Sequence, residues 1–131
     1  MEVVLDTRLL IAYTFPPTRL DRDRIAKFVS RLFEGRVLIP SIVVAEYIKV
    51  AGRRMGRVAA ENMLRGFMNY GAEGVPVTPQ DGYLAGRILL ENPDIPLADA
   101  LIAALARRRG AAIATDDPHF HALKVRVTWY K

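Results

Sequence analysis

The sequence predicts an α/β layer fold built around a mostly parallel sheet. Short apolar runs, which suit buried strands, alternate along the chain with longer segments of helical periodicity. Such alternation favours crossover connections and a parallel sheet. A third observation points the same way, because acidic residues directly follow two of the strand-like runs, where sites form in open α/β sheets.

The composition limits the class of protein. The chain has 131 residues, of which 51% are hydrophobic and 25% charged, and residues 1–131 are expected to form one domain. Without cysteine there is no disulfide framework, thiolate nucleophile or cysteine-based zinc site. No apolar run approaches the roughly 18–20 residues that span a bilayer, and the acidic start argues against a secretory signal. A cytoplasmic location with no membrane contact is therefore predicted.

The net charge is +5, from 19 basic and 14 acidic residues, and 15 of the basic residues are arginine. Arginine suits bidentate phosphate contact better than lysine does. Nucleic-acid binding is one interpretation, and thermophilic or genomic bias is the other, since asparagine and glutamine are also scarce.

The chain opens with Met1–Leu5, an apolar run that predicts a short buried strand ending at Asp6. Thr7–Tyr13 predicts a short helix. Pro16 and Pro17 interrupt it, because proline lacks the amide hydrogen that a helix needs.

The second helix begins near Thr18 or Asp21, either of which can cap it, and runs to about Phe33. Its apolar residues recur at i, i+3 and i+4 spacing. Gly35 is predicted to be its C′ stop, and Val37–Ile39 the second strand.

Ser41 is predicted to cap a third helix that carries Glu46 in its second turn. Gly52 and Gly56 are expected to loosen the chain after it. The next helix, about Val58–Asn69, has one apolar face.

Val75–Val77 predicts a third strand at an edge of the sheet, since its proline donates no ladder hydrogen bond. Thr78, Pro79 and Asp81 then match the N-cap, N1 and N3 positions of a capping box. The helix that they open runs to about Leu90.

The segment after Pro96 contains only apolar residues, alanine and one carboxylate, Asp99, before it reaches three arginines. It predicts a helix that is buried on most sides. Ala111–Ala114 predicts another buried strand, Asp117–Phe120 one helical turn, and Lys124–Trp129 a final strand.

Four acidic positions lie in or beside apolar segments, at Asp6, Glu46, Asp99 and Asp116–Asp117. An ionised carboxylate in such surroundings is costly unless it is compensated. Two of the positions follow strands and two lie near the starts of helices, which reach the same edge of a parallel sheet. The pattern therefore predicts that the carboxylates meet.

Clustered carboxylates either take up protons or share a divalent cation. Oxygen ligands select hard ions such as Mg²⁺ or Mn²⁺, and the matching chemistry is metal-assisted hydrolysis, often of phosphodiesters. Each acid also has a purely structural interpretation. Asp6 caps a helix, Asp99 sits favourably at a helix N-terminus, Glu46 is exposed, and Asp116–Asp117 form a turn.

Four segments, in order, resemble the PIN domain, the nuclease fold of VapC-type toxins and of RNA-processing endonucleases. They cover essentially the whole chain, and the third is the most specific. The segments are Val3–Thr7 with Leu10 and Ile11, Ile39–Ser41 through Glu46, Pro96–Ala103, and Thr115–Phe120, which is similar to the family's T-x-D-x-x-F.

The resemblance implies a three-layer α/β/α sandwich with a central, mostly parallel sheet of four to five strands. It also implies Mg²⁺-dependent cleavage of RNA that leaves a 5′-phosphate, with Mn²⁺ able to substitute. Asp6, Glu46 and Asp99 would hold the metal, Asp117 would complete the site or orient the attacking water, and Thr115 would be a hydrogen-bonding neighbour.

Two departures from the family pattern concern the fourth acid and its surroundings. Arg8 stands where a small serine is common, which alters access or supplies a phosphate contact. Asp116 occupies a position that is often asparagine or arginine, so Asp116 is the alternative to Asp117 as metal ligand.

Arg53, Arg54 and Arg57, in a glycine-flanked loop, are the other candidates for RNA contact. The arginines at 107–109 are more simply favourable charges at a helix C-terminus. A metal site at His119 and His121 is not expected, and the aromatic residues are assigned to the core or an interface. Those aromatic residues are Tyr13, Phe15, Tyr47 and Trp129.

The leading hypothesis is a ribonuclease toxin restrained by an antitoxin protein. A homodimer or higher homo-oligomer is expected, with the apolar helices after Glu46 as the interface. The alternatives are an RNA-processing endonuclease and a non-catalytic module that binds RNA or protein. Receiver-like and haloacid-dehalogenase-like phosphotransfer domains are disfavoured, because their further acids and lysine are missing.

Overall fold

The computed structural model describes residues 1–131 as five strands, six α-helices and one short 3₁₀ helix. The strands are β1 (Glu2–Leu5), β2 (Arg36–Pro40), β3 (Glu73–Val75), β4 (Ala112–Ala114) and β5 (Val127–Thr128). The α-helices are α1 (Thr7–Thr14), α2 (Arg19–Leu32), α3 (Ser41–Met55), α4 (Arg57–Tyr70), α5 (Pro79–Glu91) and α6 (Leu97–Arg109), and the 3₁₀ helix is Pro118–Ala122.

The five strands form one sheet in the order β3-β2-β1-β4-β5, and every pair is parallel. Helices α1 and α2 connect β1 to β2, and α3 and α4 connect β2 to the edge strand β3. Helices α5 and α6 then connect β3 to β4, which lies on the other side of β1. Right-handed crossovers place these two helix groups on opposite faces. The predicted three-layer α/β/α sandwich with a parallel sheet is thereby confirmed.

The core lies between the sheet and the helices on each face. Leu5, Leu38 and Ile113 on neighbouring strands are completely buried. Helix α6 is buried on most sides, as predicted, from Ile102 to Ala106. Its alanines leave room for close packing against β1 and β4.

Two helix N-caps form as the sequence predicts. The Thr18 hydroxyl accepts a hydrogen bond from the amide of Asp21, and Thr78 forms a complete capping box with Asp81. Gly110 ends α6 in the left-handed region, with φ of 64°. None of the six α-helices combines the length and apolar character needed to cross a membrane.

The amino edge of the sheet is held by ion pairs around Glu2. Its carboxylate accepts hydrogen bonds from Arg36 at 2.7 Å and from Arg109 at 3.1 Å. These contacts join the first residue of β1 to β2 and to the end of α6.

Two predicted helix-end roles are wrong. Pro40, not Ser41, is the N-cap of α3, and the Ser41 hydroxyl instead accepts a hydrogen bond from the amide of Val77 at 3.2 Å. Gly35 is not a C′ residue in the left-handed region. A side chain there would overlap the carbonyl oxygen of Met1, so glycine is needed for close backbone approach.

Three boundaries also differ from prediction. The edge strand is Glu73–Val75, two residues earlier than expected, and pairing in the last strand is limited to Val127–Thr128. Arg53 and Arg54 lie in the last turn of α3, so only Gly56 interrupts the helices there.

Candidate functional site

The candidate site lies at the carboxyl edge of the sheet, where β1 and β4 run side by side. Asp6 follows β1 and Thr115 follows β4, and the amide of Asp6 donates to the carbonyl oxygen of Ala114 at 3.3 Å. The chain leaves β1 for one face and enters β4 from the other. This reversal of direction opens a crevice between the two strand ends.

Asp6 is held at the base of this crevice, with only 3% of its surface exposed. One carboxylate oxygen accepts from the amide of Thr7 at 2.8 Å, which makes Asp6 the N-cap of α1, and the other accepts from the Thr115 hydroxyl at 2.7 Å. Burial, together with the charges of Asp99 and Asp117, raises the pKa of Asp6 to about 6, against the lowering effect of the hydrogen bonds from Thr115 and Thr7.

Glu46 reaches the same edge from the second turn of α3. Its Oε1 accepts a hydrogen bond from the Thr7 hydroxyl at 2.8 Å. Thr7 therefore links the first two acids, since its amide binds Asp6 and its hydroxyl binds Glu46.

Asp99, in the first turn of α6, faces Asp117 and His119 across the crevice. His119 Nδ1 lies 3.1 Å from Asp99 Oδ2 and 3.1 Å from Asp117 Oδ1. Burial raises the pKa of Asp99, and the negative charges of Asp117 and Glu46 add to this increase, whereas His119 opposes it. The four acidic positions therefore lie close enough to interact electrostatically, with Asp117 as the member of the fourth pair that takes part.

The loop after β4 fixes Asp117 through its own backbone. The amide of Asp117 donates to the Thr115 hydroxyl at 3.0 Å, and Asp117 Oδ1 accepts from the amide of His119 at 3.0 Å. Asp117 is therefore the cap of the 3₁₀ helix, and Pro118 at its first position directs His119 back toward Asp99.

Asp116 faces the other way. Its Oδ1 accepts from Arg8 Nε at 2.6 Å, and both side chains are largely exposed. The hydrogen bond and charge of Asp116 raise the pKa of Arg8. Arg8, which stands where the family pattern commonly has serine, is therefore the ion-pair partner of Asp116.

The other arginines singled out by the sequence make different contacts. Arg54 stacks on Phe15, with the guanidinium carbon 3.7 Å from the ring centroid, whereas Arg57 binds Glu61 on its own helix at 2.9 Å. Arg53 is exposed near the end of α3. RNA contact by these arginines therefore stays a prediction.

His119 is the residue that the sequence interpretation missed. Two histidines spaced two apart gave no reason to prefer one of them, and a site with nitrogen donors was not expected. Pro118 after Asp117 predicts a tight turn, but it does not predict which way the His119 side chain points.

The donor atoms present suit a divalent cation. One ligand atom each from Asp99, Asp117 and His119 lies within 4.8 Å of the others, close enough to bind a single ion. Carboxylate oxygens favour hard cations, and one imidazole nitrogen is also compatible with Mn²⁺. A cation would also relieve the repulsion that raises the pKa of Asp6 and Asp99.

The fold and the site together define a class of protein, a parallel α/β sandwich in which acidic side chains converge at the carboxyl edge of the sheet. Residues 3–125 match the PIN domain family, and the chain belongs to it. A comparison with curated proteins found no match.

Solved structures of similar fold include toxin–antitoxin proteins. The DNA-bound VapBC2 structure from Rickettsia felis has a TM-score of 0.80 at 20% identity, covering 98% of both chains. DNA-bound VapBC from Salmonella typhimurium has a TM-score of 0.76 at 22% identity, covering 100% of this chain and 99% of that one. VapC20 from Mycobacterium tuberculosis, a toxin that cleaves the sarcin-ricin loop, has a TM-score of 0.76 at 17% identity, covering 94% and 95%.

Proposed function

We propose that residues 1–131 form a single nuclease domain that hydrolyses RNA phosphodiester bonds internally, with Mg²⁺ as the cofactor and Mn²⁺ as a substitute. The observation that carries this proposal is the convergence of Asp6, Glu46, Asp99 and Asp117 at one edge of the sheet. Membership of the PIN domain family supports it.

The cation would be held by Asp99 and Asp117, with His119 beside them and with Asp6 and Glu46 completing the acidic surroundings. A divalent ion supplies Lewis acidity, which lowers the pKa of water and stabilises the departing oxygen. The Asp117 side chain is mostly covered but keeps 15% of its surface exposed, which leaves room to accept a hydrogen bond from the attacking water.

The protein's own hydrogen bonds keep these groups in place before substrate arrives. Thr7 holds Asp6 and Glu46, and Thr115 holds Asp6 and the backbone of Asp117. Water attacks phosphorus and the bond to the 3′-oxygen breaks. One product then keeps a 5′-phosphate and the other gains a 3′-hydroxyl.

Between the two adjacent acids, we assign the fourth position to Asp117. Asp117 shares its environment with Asp99 and His119, whereas Asp116 is paired with Arg8 on the exposed side of the loop. Thr115 is a positioning residue in this assignment.

The biological role that we propose is that of a toxin restrained by an antitoxin protein. Support comes from the similar folds of the VapBC complexes and of VapC20. We further propose a cytoplasmic location and a homodimer or higher homo-oligomer. Its interface would be formed by α3, which carries Glu46, and by α4, which follows it. An RNA-processing endonuclease and a non-catalytic binding module remain the alternatives.

The test is cleavage of a labelled single-stranded RNA with Mg²⁺ or Mn²⁺. Wild type, wild type with EDTA, Asp99→Asn and the control Asp94→Asn, which changes an exposed residue of the loop before α6, are purified identically. Metal-dependent products that disappear only with EDTA and in Asp99→Asn support the proposal. Equal cleavage by all the proteins would show that a contaminating ribonuclease, not this site, is responsible.

A further inference from the structure

A cleft of about 640 Å³ opens beside the carboxylate site and has no part in the chemistry described above. Thr7 and Asp116 line one end of it, so the cleft starts at residues that adjoin the acids. Thr7 binds Glu46 directly, and Asp116 precedes Asp117 in the same loop. A chain that occupied the cleft would therefore continue into the site.

The walls of the cleft are mainly apolar and aromatic. Ile11 and Phe15 contribute from α1 and the residue after it, Val50 from α3, and Trp129 from the segment after β5. Trp129 packs against Tyr130 with ring centroids 5.0 Å apart. Phe15 and Trp129 are only partly buried, so each keeps ring surface that is accessible from the cleft.

Cationic groups lie in the cleft and beside it. Arg54 is not a lining residue, but its guanidinium carbon lies 3.7 Å from the centroid of the Phe15 ring and no carboxylate pairs with it. Arg8 lines the end nearest the acids, bound to Asp116, and Lys131 lines the cleft near Tyr130. Aromatic surface edged by arginine is the combination that binds single-stranded nucleic acid.

We propose that this cleft binds an unpaired nucleoside of the RNA strand, next to the phosphate that is cleaved. The base packs against Phe15 and Trp129, and the backbone phosphate is bound by Arg54 and, nearer the acids, by Arg8. The volume matches the roughly 300–1,000 Å³ of small-ligand sites. A base that is paired within a duplex presents no free face, so the nucleoside in the cleft is unpaired. The inference rests on the proposed function, and it adds the cleft that holds one nucleoside and the residues that contact it.

Trp129 makes a direct test possible, because it is the only tryptophan in the chain. The Asp99→Asn protein, which is expected to bind RNA without cleaving it, is titrated with an oligouridine of about ten nucleotides, within the site sizes of single-strand binders. A fluorescein-labelled copy reports binding by anisotropy in parallel. We expect saturable quenching of Trp129 emission with the same midpoint as the anisotropy, and little quenching with a duplex of the same length.

Variants in the same background separate stacking from charge. Trp129→Leu is expected to weaken oligouridine binding roughly 5- to 100-fold, the range for loss of one stacked base. Arg54→Gln is expected to reduce the salt dependence of binding by about one phosphate contact. The controls are Tyr83→Leu and Arg87→Gln, an exposed tyrosine and an exposed arginine on α5, which are expected to bind as the parent does.

The outcomes separate the inference from the function on which it rests. Oligouridine binding with unchanged Trp129 emission would overturn the inference and leave the proposed function standing. The RNA would then follow another surface, and the cleft would be free for a protein segment. If oligouridine does not bind and wild type does not cleave RNA, the function and the inference fail together.

Discussion

The Thr115 hydroxyl joins Asp6 to Asp117. It donates to Asp6 Oδ2 at 2.7 Å and accepts from the amide of Asp117 at 3.0 Å. One buried hydroxyl thus sets the position of the carboxylate that follows β1 and of the loop after β4.

Replacing Thr115 with valine is expected to lower RNA cleavage by roughly 10- to 100-fold, the usual effect of losing a group that orients ligands. Valine keeps the shape of threonine but supplies no hydrogen bond to either acid. Thr115→Ser retains the hydroxyl and should keep most of the activity. The measurement is kcat/KM for a labelled RNA in both variants, and equal losses in the two would point to packing and not to the hydroxyl.

The buried charge of Asp6 should destabilise the metal-free protein at neutral pH. Its pKa is raised from 3.8 to about 6, so the folded state binds the proton more tightly than the unfolded state. Stability from this group therefore falls as the pH rises from about 4 to about 6, by about 3 kcal/mol in total. Asp6→Asn in EDTA should consequently unfold at a higher temperature than wild type at pH 7.5.

Thermal unfolding at pH 4.5 and 7.5 checks this expectation, with Asp94→Asn as the control for loss of an exposed charge. The gain in the Asp6 variant should shrink at pH 4.5, where the wild-type group is largely protonated. An Asp6 variant that is less stable than wild type at both values would contradict the assignment.

The adjacent acids Asp116 and Asp117 provide a matched pair. Asp117→Asn should weaken Mn²⁺ binding by at least about 10-fold, because it removes a carboxylate that faces Asp99 and His119. Asp116→Asn should leave Mn²⁺ affinity nearly unchanged, since that side chain binds Arg8. Calorimetric titration of the two variants decides the assignment, and the reverse order would give the fourth position to Asp116.

His119 should influence which metal is preferred. Removing its imidazole with His119→Ala is expected to weaken Mn²⁺ binding by about 10-fold and Mg²⁺ binding less, because nitrogen ligands favour the transition metal. His121→Ala is the control, since His121 is exposed and only two residues away. Equal affinities in wild type and both variants would mean that His119 only supports the neighbouring carboxylates.

Arg108 should matter for stability and not for RNA. It binds the buried Asp81 through Nε at 2.5 Å and Nη2 at 3.0 Å. Arg108→Leu is expected to cost about 3 kcal/mol, because the Asp81 carboxylate then stays buried without a partner. Urea unfolding measures this cost, and Arg107→Leu, which changes an exposed neighbour, should show little.

Burial alone would raise the pKa of Asp81, but the hydrogen bonds and charge of Arg108 lower it overall. The stabilisation is therefore present above the ordinary pKa of an aspartate and is lost as the pH falls below it. If Arg107→Leu and Arg108→Leu proved equally stable, the pair would have no structural importance.

Much of the fold follows from local sequence. The apolar run ending at Leu5 and the capping box at Thr78 and Asp81 are short-range patterns whose energies act within a few residues, and both are confirmed. The Ser41 role depended on Val77, 36 residues away, and the close approach of Gly35 depended on Met1. Contacts at such separations leave no periodicity to detect.

The candidate site could be predicted from the sequence to about the same extent as the fold. Topology alone brings the ends of β1 and β4 together, so the closeness of Asp6 and the loop at Thr115 follows from strand order. Two features were not predictable: which of Asp116 and Asp117 faces the other acids, and the participation of His119. Both depend on the direction of side chains in the short 3₁₀ helix and in the two residues before it. That direction is decided by individual hydrogen bonds, which the sequence pattern does not encode.

Glu2, clamped between Arg36 and Arg109, stands at the opposite edge of the sheet from the acids. Opposite charges attract at the amino edge, and like charges accumulate at the carboxyl edge. The two edges of the sheet can therefore be altered independently in protein engineering. Stabilising substitutions at the amino edge would leave the acidic cluster unchanged, whereas relieving the like-charge repulsion at the carboxyl edge would require replacing the acids themselves.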